Sequence, residues 1–376
     1  MTTTPQSAQP ATLLLTGATG FLGGAIMARL IEGDQWDNTL FLVRAATPEE
    51  GLARLTAVLR RFEVPERLLW RFSLSQVVCG DLGNVDDYIN DERLAKVTHV
   101  INCAAIASFG KNPLIWATNV EGTENFATLL HRRAKLQRFV HVGTAMVCGP
   151  EATTPVHEAV DPGQDITHLV EYTESKIEAE RRLRAIPGLP LVVARPSIVV
   201  GHTHLGCKAS GSIFWVFRMA LAMGCFTCDF DEKIDVIPVD YCADALLLLA
   251  RKPELAHDLY HLSAGTDCAS SFREIDAAIA EATGRPRHDH YRRLPFDALA
   301  AMSPRFQDYF GPCNKRIMLR AIRTYGDFAE LGLLFDASRL RDEGMPPPPR
   351  FNTYAGLCAA TSKGSTIAEQ MTVDFK

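Results

Sequence analysis

The chain has 376 residues, 47% hydrophobic and 22% charged, a balance that supplies a packed core and excludes a disordered polymer. Its formal charge of −5, from 39 basic and 44 acidic residues, gives no basic footprint for nucleic acid. The length fits one large domain or two.

The opening MTTTPQSAQP has neither the charged start nor the apolar run of a signal peptide, and residues 1–10 read as a disordered tail. No later segment qualifies as a membrane span: GSIFWVFRMALAMGCF carries Arg218 at its middle, and ALLLLA is too short. The expectation is a cytoplasmic protein. Its ten cysteines are irregularly spaced, as in a reduced chain. The one CxxC, Cys225 to Cys228, has no second pair and reads as buried thiols, not a metal site.

Residues 11–16, ATLLLT, form a short apolar run leading into GATGFLGGAIMARLIE, where apolar positions return at helical spacing. This is strand, glycine turn, helix. Further apolar runs predict buried parallel strands at 40–43, 75–80, 98–105, 138–144 and 191–201, with helical patterns between them. The alternation predicts an α/β fold of Rossmann type, a doubly wound parallel sheet spanning 11–201, to which 234–251 returns. Segments 202–233 and 252–345 read as a smaller, helix-rich substrate-binding region. MPPPPR opens a stiff spacer, and 346–376 reads as a tail or lid.

Gly17, Gly20 and Gly23 sit as GxxGxxG between the first strand and first helix. Such glycines allow a tight turn and let backbone approach a pyrophosphate at the helix N-terminus. An acidic residue ending the second strand would hold the ribose hydroxyls of NAD. FLVRA instead places Arg44 there, whose planar fork suits a 2′-phosphate, so NADPH is the expected cofactor. Asp81, after the third strand, is placed to accept from the adenine amino group.

EYTESKIEAE puts Tyr172 and Lys176 four apart, on one face of a helix. A phenol with a pKa of about 10 is a poor acid or base at neutral pH, and a nearby ammonium is expected to lower that value. Such a tyrosine can pass a proton to a substrate oxygen while hydride moves between carbon and nicotinamide. Thr144 ends the fifth strand, at the carboxyl edge where doubly wound sheets bind ligands, and can hold the same oxygen.

TGATGFLG, LVRA, GDL, INCAA, TNVEGT, VGTAMV, YTESK, ARPSIVVG and VIPVDY together make the chain resemble an extended short-chain dehydrogenase/reductase. The likeness covers residues 11 to about 250. LVRA, RPSIVVG and PVDY tilt it to the fatty acyl-CoA reductase and thioester reductase branch, which includes the reductase domains of carboxylic acid reductases and peptide synthetases. The resemblance implies Thr144, Tyr172 and Lys176 as the catalytic set, with Lys176 also on the nicotinamide ribose. It implies that Gly17, Thr19, Gly20, Phe21, Leu22, Gly23, Arg44, Asp81, Leu82 and Ala104 line the cofactor. Pro196, Ser197 and Ile198 would lie near the nicotinamide amide, and Asn119 looks like the family's structural or relay asparagine. Two departures stand out: Gly143 occupies a position where serine often precedes the catalytic hydroxyl, and Met146–Cys148 with PVHE resembles sugar-nucleotide epimerases.

The implied reaction is NADPH-dependent reduction of an acyl thioester, on coenzyme A or an acyl carrier protein, to an aldehyde; a second hydride could yield the alcohol. The competing expectation is an NAD(P)-dependent sugar-nucleotide epimerase or dehydratase, or a hydroxysteroid-type dehydrogenase. For the acyl chain, Phe214, Trp215 and Met219 are the candidate tunnel residues. The basic clusters at 285–293 and 315–323 read as solvated faces, or as contacts for a phosphopantetheine arm or an acidic carrier.

Overall fold

A computed structural model describes residues 12–374 apart from 111, 160, 164 and 165; the expected tail at 1–10 lies outside the described residues. Seven strands form one parallel sheet: β1 (Leu13–Thr16), β2 (Thr39–Val43), β3 (Val77–Cys79), β4 (His99–Asn102), β5 (Arg138–Val142), β6 (Leu191–Pro196) and β7 (Leu259–Leu262). Their order across the sheet is 7-6-5-4-1-2-3, so the chain reverses direction of travel between β1 and β4. Parallel strands need crossovers, and the crossovers cover both faces with helices.

Alternation along β1 shows how the faces divide. Leu13 and Leu15 enter one core with α1 (Phe21–Glu32), α2 (Pro48–Arg61) and α6 (Val239–Arg251). Leu14 enters the other, with Phe126 and Leu130 of α3 (Thr123–Arg133) and Leu183 of α4 (Glu171–Arg184). The local signals at α2 agree with this placement: Thr47 caps it, accepting from the Glu50 N–H at 3.3 Å, Pro48 opens its first turn, and Arg60 and Arg61 close it.

Beyond the sheet lies a second core, containing Phe214, Trp215 and Met219 of α5 (Phe214–Met223), Phe272 and Ile275 of α7 (Phe272–Thr283), and Met318 and Ile322 of α8 (Lys315–Ala329). Cys225 and Cys228 are buried in it.

Three features depart from the sequence expectation. The six predicted strands are present, but β7 is an additional edge strand lying inside the segment assigned to the substrate region. Its four residues, LYHL, are buried by pairing with Val193–Pro196, a long-range contact that local pattern does not display. Val236–Ile237, read as a return to the main sheet, pairs instead with Ile198–Val199 in a separate two-stranded parallel sheet, while α6 behind it packs on the main sheet. The C-terminal part is neither a frayed tail nor a loose lid. Phe351, Tyr354, Cys358, Ile367 and Met371 are all buried in the second core, through Phe351–Thr353, α9 (Ala355–Thr361) and α10 (Ile367–Asp374).

The α9–α7 contact is close because Gly356 has no side chain: a Cβ there would stand 2.8 Å from Ala282 Cβ and 2.9 Å from the Ala278 carbonyl oxygen. Gly356→Val is expected to cost on the order of 1–3 kcal/mol through overpacking. A denaturant melt checks this, the midpoint falling without a change in slope.

Candidate active site

The glycine turn packs against the end of β4 at the point where strand order reverses. Gly17 has φ +69°, and a Cβ there would lie 2.7 Å from the Ala104 nitrogen. One at Gly23 would lie 2.2 Å from the Gly17 carbonyl oxygen. Neither position accepts a side chain, and the result is a bare backbone cradle at the N-terminus of α1, suited to a pyrophosphate. Thr16 ties the cradle to β4: its hydroxyl donates to Asn102 Oδ1 at 2.6 Å and accepts from the Ala104 N–H at 3.1 Å. Thr19 and Leu22 are half-buried, Gly20 is exposed, and Phe21 stacks on Phe62 with ring centroids 6.3 Å apart.

Arg44 stands in solvent at the end of β2, 68% exposed, with its guanidinium 3.8 Å from Asp81. Asp81 also accepts from the Gly83 N–H at 2.8 Å, and Leu82 beside it is buried. A second cation joins them that the sequence reading overlooked: Arg54, on α2, donates to the Arg44 carbonyl oxygen. Its position on the exposed face of a helix following the LVRA strand was the available signal.

On the other side of β4, Thr144 leaves β5 and its hydroxyl accepts from the Met146 N–H at 3.4 Å, opening the short turn Ala145–Cys148. Tyr172 occupies the first turn of α4, and Lys176, 3% exposed, the next. Asn119 holds this arrangement together. Its side chain accepts from the Ile106 N–H at 2.8 Å and donates to the Ile106 carbonyl at 3.1 Å and to Ser175 Oγ at 3.0 Å; Ser175 in turn donates to the Tyr172 carbonyl at 2.7 Å. It therefore pins the loop after β4 to the turn that carries the tyrosine.

Thr144, Tyr172, Ser197 and Ile198 all line one end of a cavity of about 320 Å³. Pro196 ends β6 behind them, buried. The remaining wall is largely apolar and aromatic. Phe109 sits over the tyrosine at 5.8 Å between ring centroids, and over Tyr325 and Phe328 of α8 at 5.3 and 5.1 Å. The expected tunnel residues require correction. Helix α5 does border the cavity, but through Val216, Phe217 and Ala220, with Ile213 just before it. Phe214, Trp215 and Met219 point the other way and are fully buried in the second core. An all-apolar helix does not reveal which face meets a void, since either face satisfies the hydrophobic effect.

Burial dominates the titration of the pair. Tyr172 is pushed up to about 12, not down as the ammonium alone would have it, because the cavity wall desolvates the phenolate. Burial pushes Lys176 down to about 8, partly opposed by the carboxylate of Glu180. Gly143, the departure before Thr144, has a local cause: a Cβ there would meet Glu180 Oε1 at 2.3 Å.

A doubly wound parallel sheet with a glycine cradle at its switch point, and a Thr, Tyr and Lys on the same edge, defines a nicotinamide-dinucleotide oxidoreductase of the extended short-chain type. Residues 15–246 match the male sterility protein family, and the chain belongs to it, in the thioester reductase and fatty acyl-CoA reductase branch. A nonribosomal peptide synthetase of a Cladobotryum species is 26% identical over 313 residues, 78% of this chain but 30% of that protein. A probable fatty acyl-CoA reductase of Arabidopsis thaliana is 24% identical over 352 residues, 73% of this chain and 71% of that one. The fold also matches the crystal structure of the terminal R domain of the myxalamid biosynthetic pathway, with a TM-score of 0.76 and 22% identity over 96% of this chain and 92% of that one.

Gly23→Ala is expected to weaken binding of the nicotinamide cofactor at least about tenfold, or ~1.4 kcal/mol, by pushing the first helix off the turn. Quenching of protein fluorescence on cofactor titration measures it.

Proposed function

We propose that the protein reduces acyl thioesters to aldehydes with NADPH, and can carry the aldehyde on to the alcohol. The observation that carries this reading is the cavity: a largely apolar and aromatic chamber that holds Thr144, Tyr172 and Ser197, with further polar groups at Ser212, Glu232, Lys233 and Asp235. An acyl chain fits the aromatic and aliphatic part of this wall better than a sugar nucleotide, whose hydroxyls need polar partners. The fatty acyl-CoA reductase and the peptide synthetase among its relatives agree with a thioester substrate.

The glycine cradle fits a dinucleotide, and Arg44 with Arg54 beside it offers two cations where a 2′-phosphate would lie. NADPH, when bound, supplies the hydride. The chain's own residues handle the oxygen and the proton. The hydroxyls of Thr144 and Tyr172 donate to the thioester carbonyl oxygen, a contact that strengthens as negative charge gathers there. Tyr172 then gives up its proton to that oxygen, a transfer aided by the protonated Lys176 one helical turn away. Collapse of the resulting hemithioacetal releases the thiol and leaves the aldehyde. The apolar wall, Phe109 foremost, keeps water from the reacting carbon.

Coupled assays of NADPH absorbance, free thiol and carbonyl product across acyl-CoA and acyl-carrier thioesters test the reading. Thioester-dependent oxidation with matching thiol release is expected, and Tyr172→Phe should lose at least about 100-fold in kcat while binding NADPH normally. No thioester turnover by a protein that still binds NADPH would sink it. Arg44→Ala should raise the Kd for NADPH about tenfold and leave NADH within about twofold, as paired titrations would reveal; an equal loss for both would remove the phosphate role.

A further inference from the structure

One buried carboxylate lies where three of the segments that line the cavity meet: the end of β5, α4 and β6. Glu180 lies on α4 one helical turn past Lys176 and is 1% exposed. Arg195, on β6 two residues before Ser197 and 3% exposed, grips it with a fork: Nη2 to Oε2 at 2.6 Å, and Nε to Oε2 and Oε1 at 3.1 and 3.2 Å. The remaining guanidinium nitrogen, Nη1, donates to the Ala159 carbonyl at 2.8 Å. On its third side the carboxylate fills the space where a Cβ of Gly143 would stand, 2.3 Å from Oε1, immediately before Thr144.

A buried ion pair gives little net stability, since desolvation of both charges offsets their attraction. Isolated from the site, the pair would be hard to explain. Its placement supplies the reason: it ties the helix that carries Lys176 to the strand that leads to Ser197, beside the glycine that precedes Thr144.

We infer that Glu180, clamped by Arg195, is a positioning residue that keeps Lys176 charged and holds the Thr144 strand end in register with it. The inference rests on the proposed catalytic role of Lys176. The groups facing Lys176 are few. Tyr172 and Glu180 are on its own helix, Cys103 follows β4, and His141 is on β5. His141 is buried and held well below its ordinary value by desolvation and by the lysine's own charge, so it is neutral. The Cys103 thiol is pushed up to about 12 by burial and is neutral as well. Glu180 is therefore the one carboxylate among these groups, and it opposes the desolvation that drives the lysine toward its uncharged form.

Glu180→Gln alone would strand the Arg195 charge in the core and could unfold the protein, so the deciding variant is the double substitution Glu180→Gln with Arg195→Met. Two readouts separate the roles. Side-chain NMR of labelled lysines, with the Lys176 signal assigned from a Lys176→Met variant, reads its titration midpoint with no substrate present. The midpoint is expected to drop by about one pH unit or more in the double variant. In parallel, kcat/KM is expected to fall about fivefold or more at pH 8 and to stay within about threefold of wild type at pH 6, where the lysine is protonated in both proteins. An unchanged midpoint and an unchanged pH profile in a folded double variant would overturn the inference and leave the pair as scaffolding. Wild-type turnover by Lys176→Met is a separate failure: it would refute the catalytic set itself, while the NMR midpoint still reports whether Glu180 sustains the charge.

Discussion

Parallel hydrogen bonding is the constraint on which this protein depends. Each strand of the main sheet must be followed by a return across a face, so all seven strands end at one edge. Glycine turn, Arg44, Asp81, Ala104, Thr144 and Ser197 follow six different strands and still meet there, because the topology offers their loops nowhere else to converge. Where order reverses between β1 and β4, the two following loops diverge and leave the crevice into which the cradle opens.

The packing at that edge is tight enough to dictate residue type. Gly17, Gly23 and Gly143 each lie against atoms that a Cβ would strike, but for different reasons. The first two let backbone pass close to backbone, and thus leave the helix N-terminus bare for an anion. The third yields space to a carboxylate that belongs to the lysine's helix. A departure that could be taken as evidence of a different branch is thereby explained by a neighbouring charge.

The second core sets the character of the substrate side. It is assembled from segments 200–236 and 272–371, and α5, α8 and Phe109 at its margin form the cavity wall together with Thr144 and Tyr172. The C-terminal helices contribute no residue to that wall; they back the helices that do. Burial drives the phenol up and the amine down in this setting, so the charges that chemistry needs must be sustained by other groups.

Much of this was legible in the chain itself. The strand–glycine–helix opening, five further apolar runs and the Tyr–Lys spacing are local patterns, and local patterns report secondary structure and the helix face on which a pair sits. What tertiary structure alone decided is everything that depends on a partner distant in sequence. LYHL became a seventh strand because β6 offered an edge, and residues from Phe351 to Met371 joined the core because α7 presented Ala278 and Ala282 to Gly356. Val216 and Phe217, not Phe214 and Trp215, came to line the cavity because one face of an apolar helix was already taken. The meeting of Glu180 with Arg195 and Gly143 belongs to the same class: no spacing announces it, because a charge buried between three segments is set by their packing and not by the sequence of any one of them.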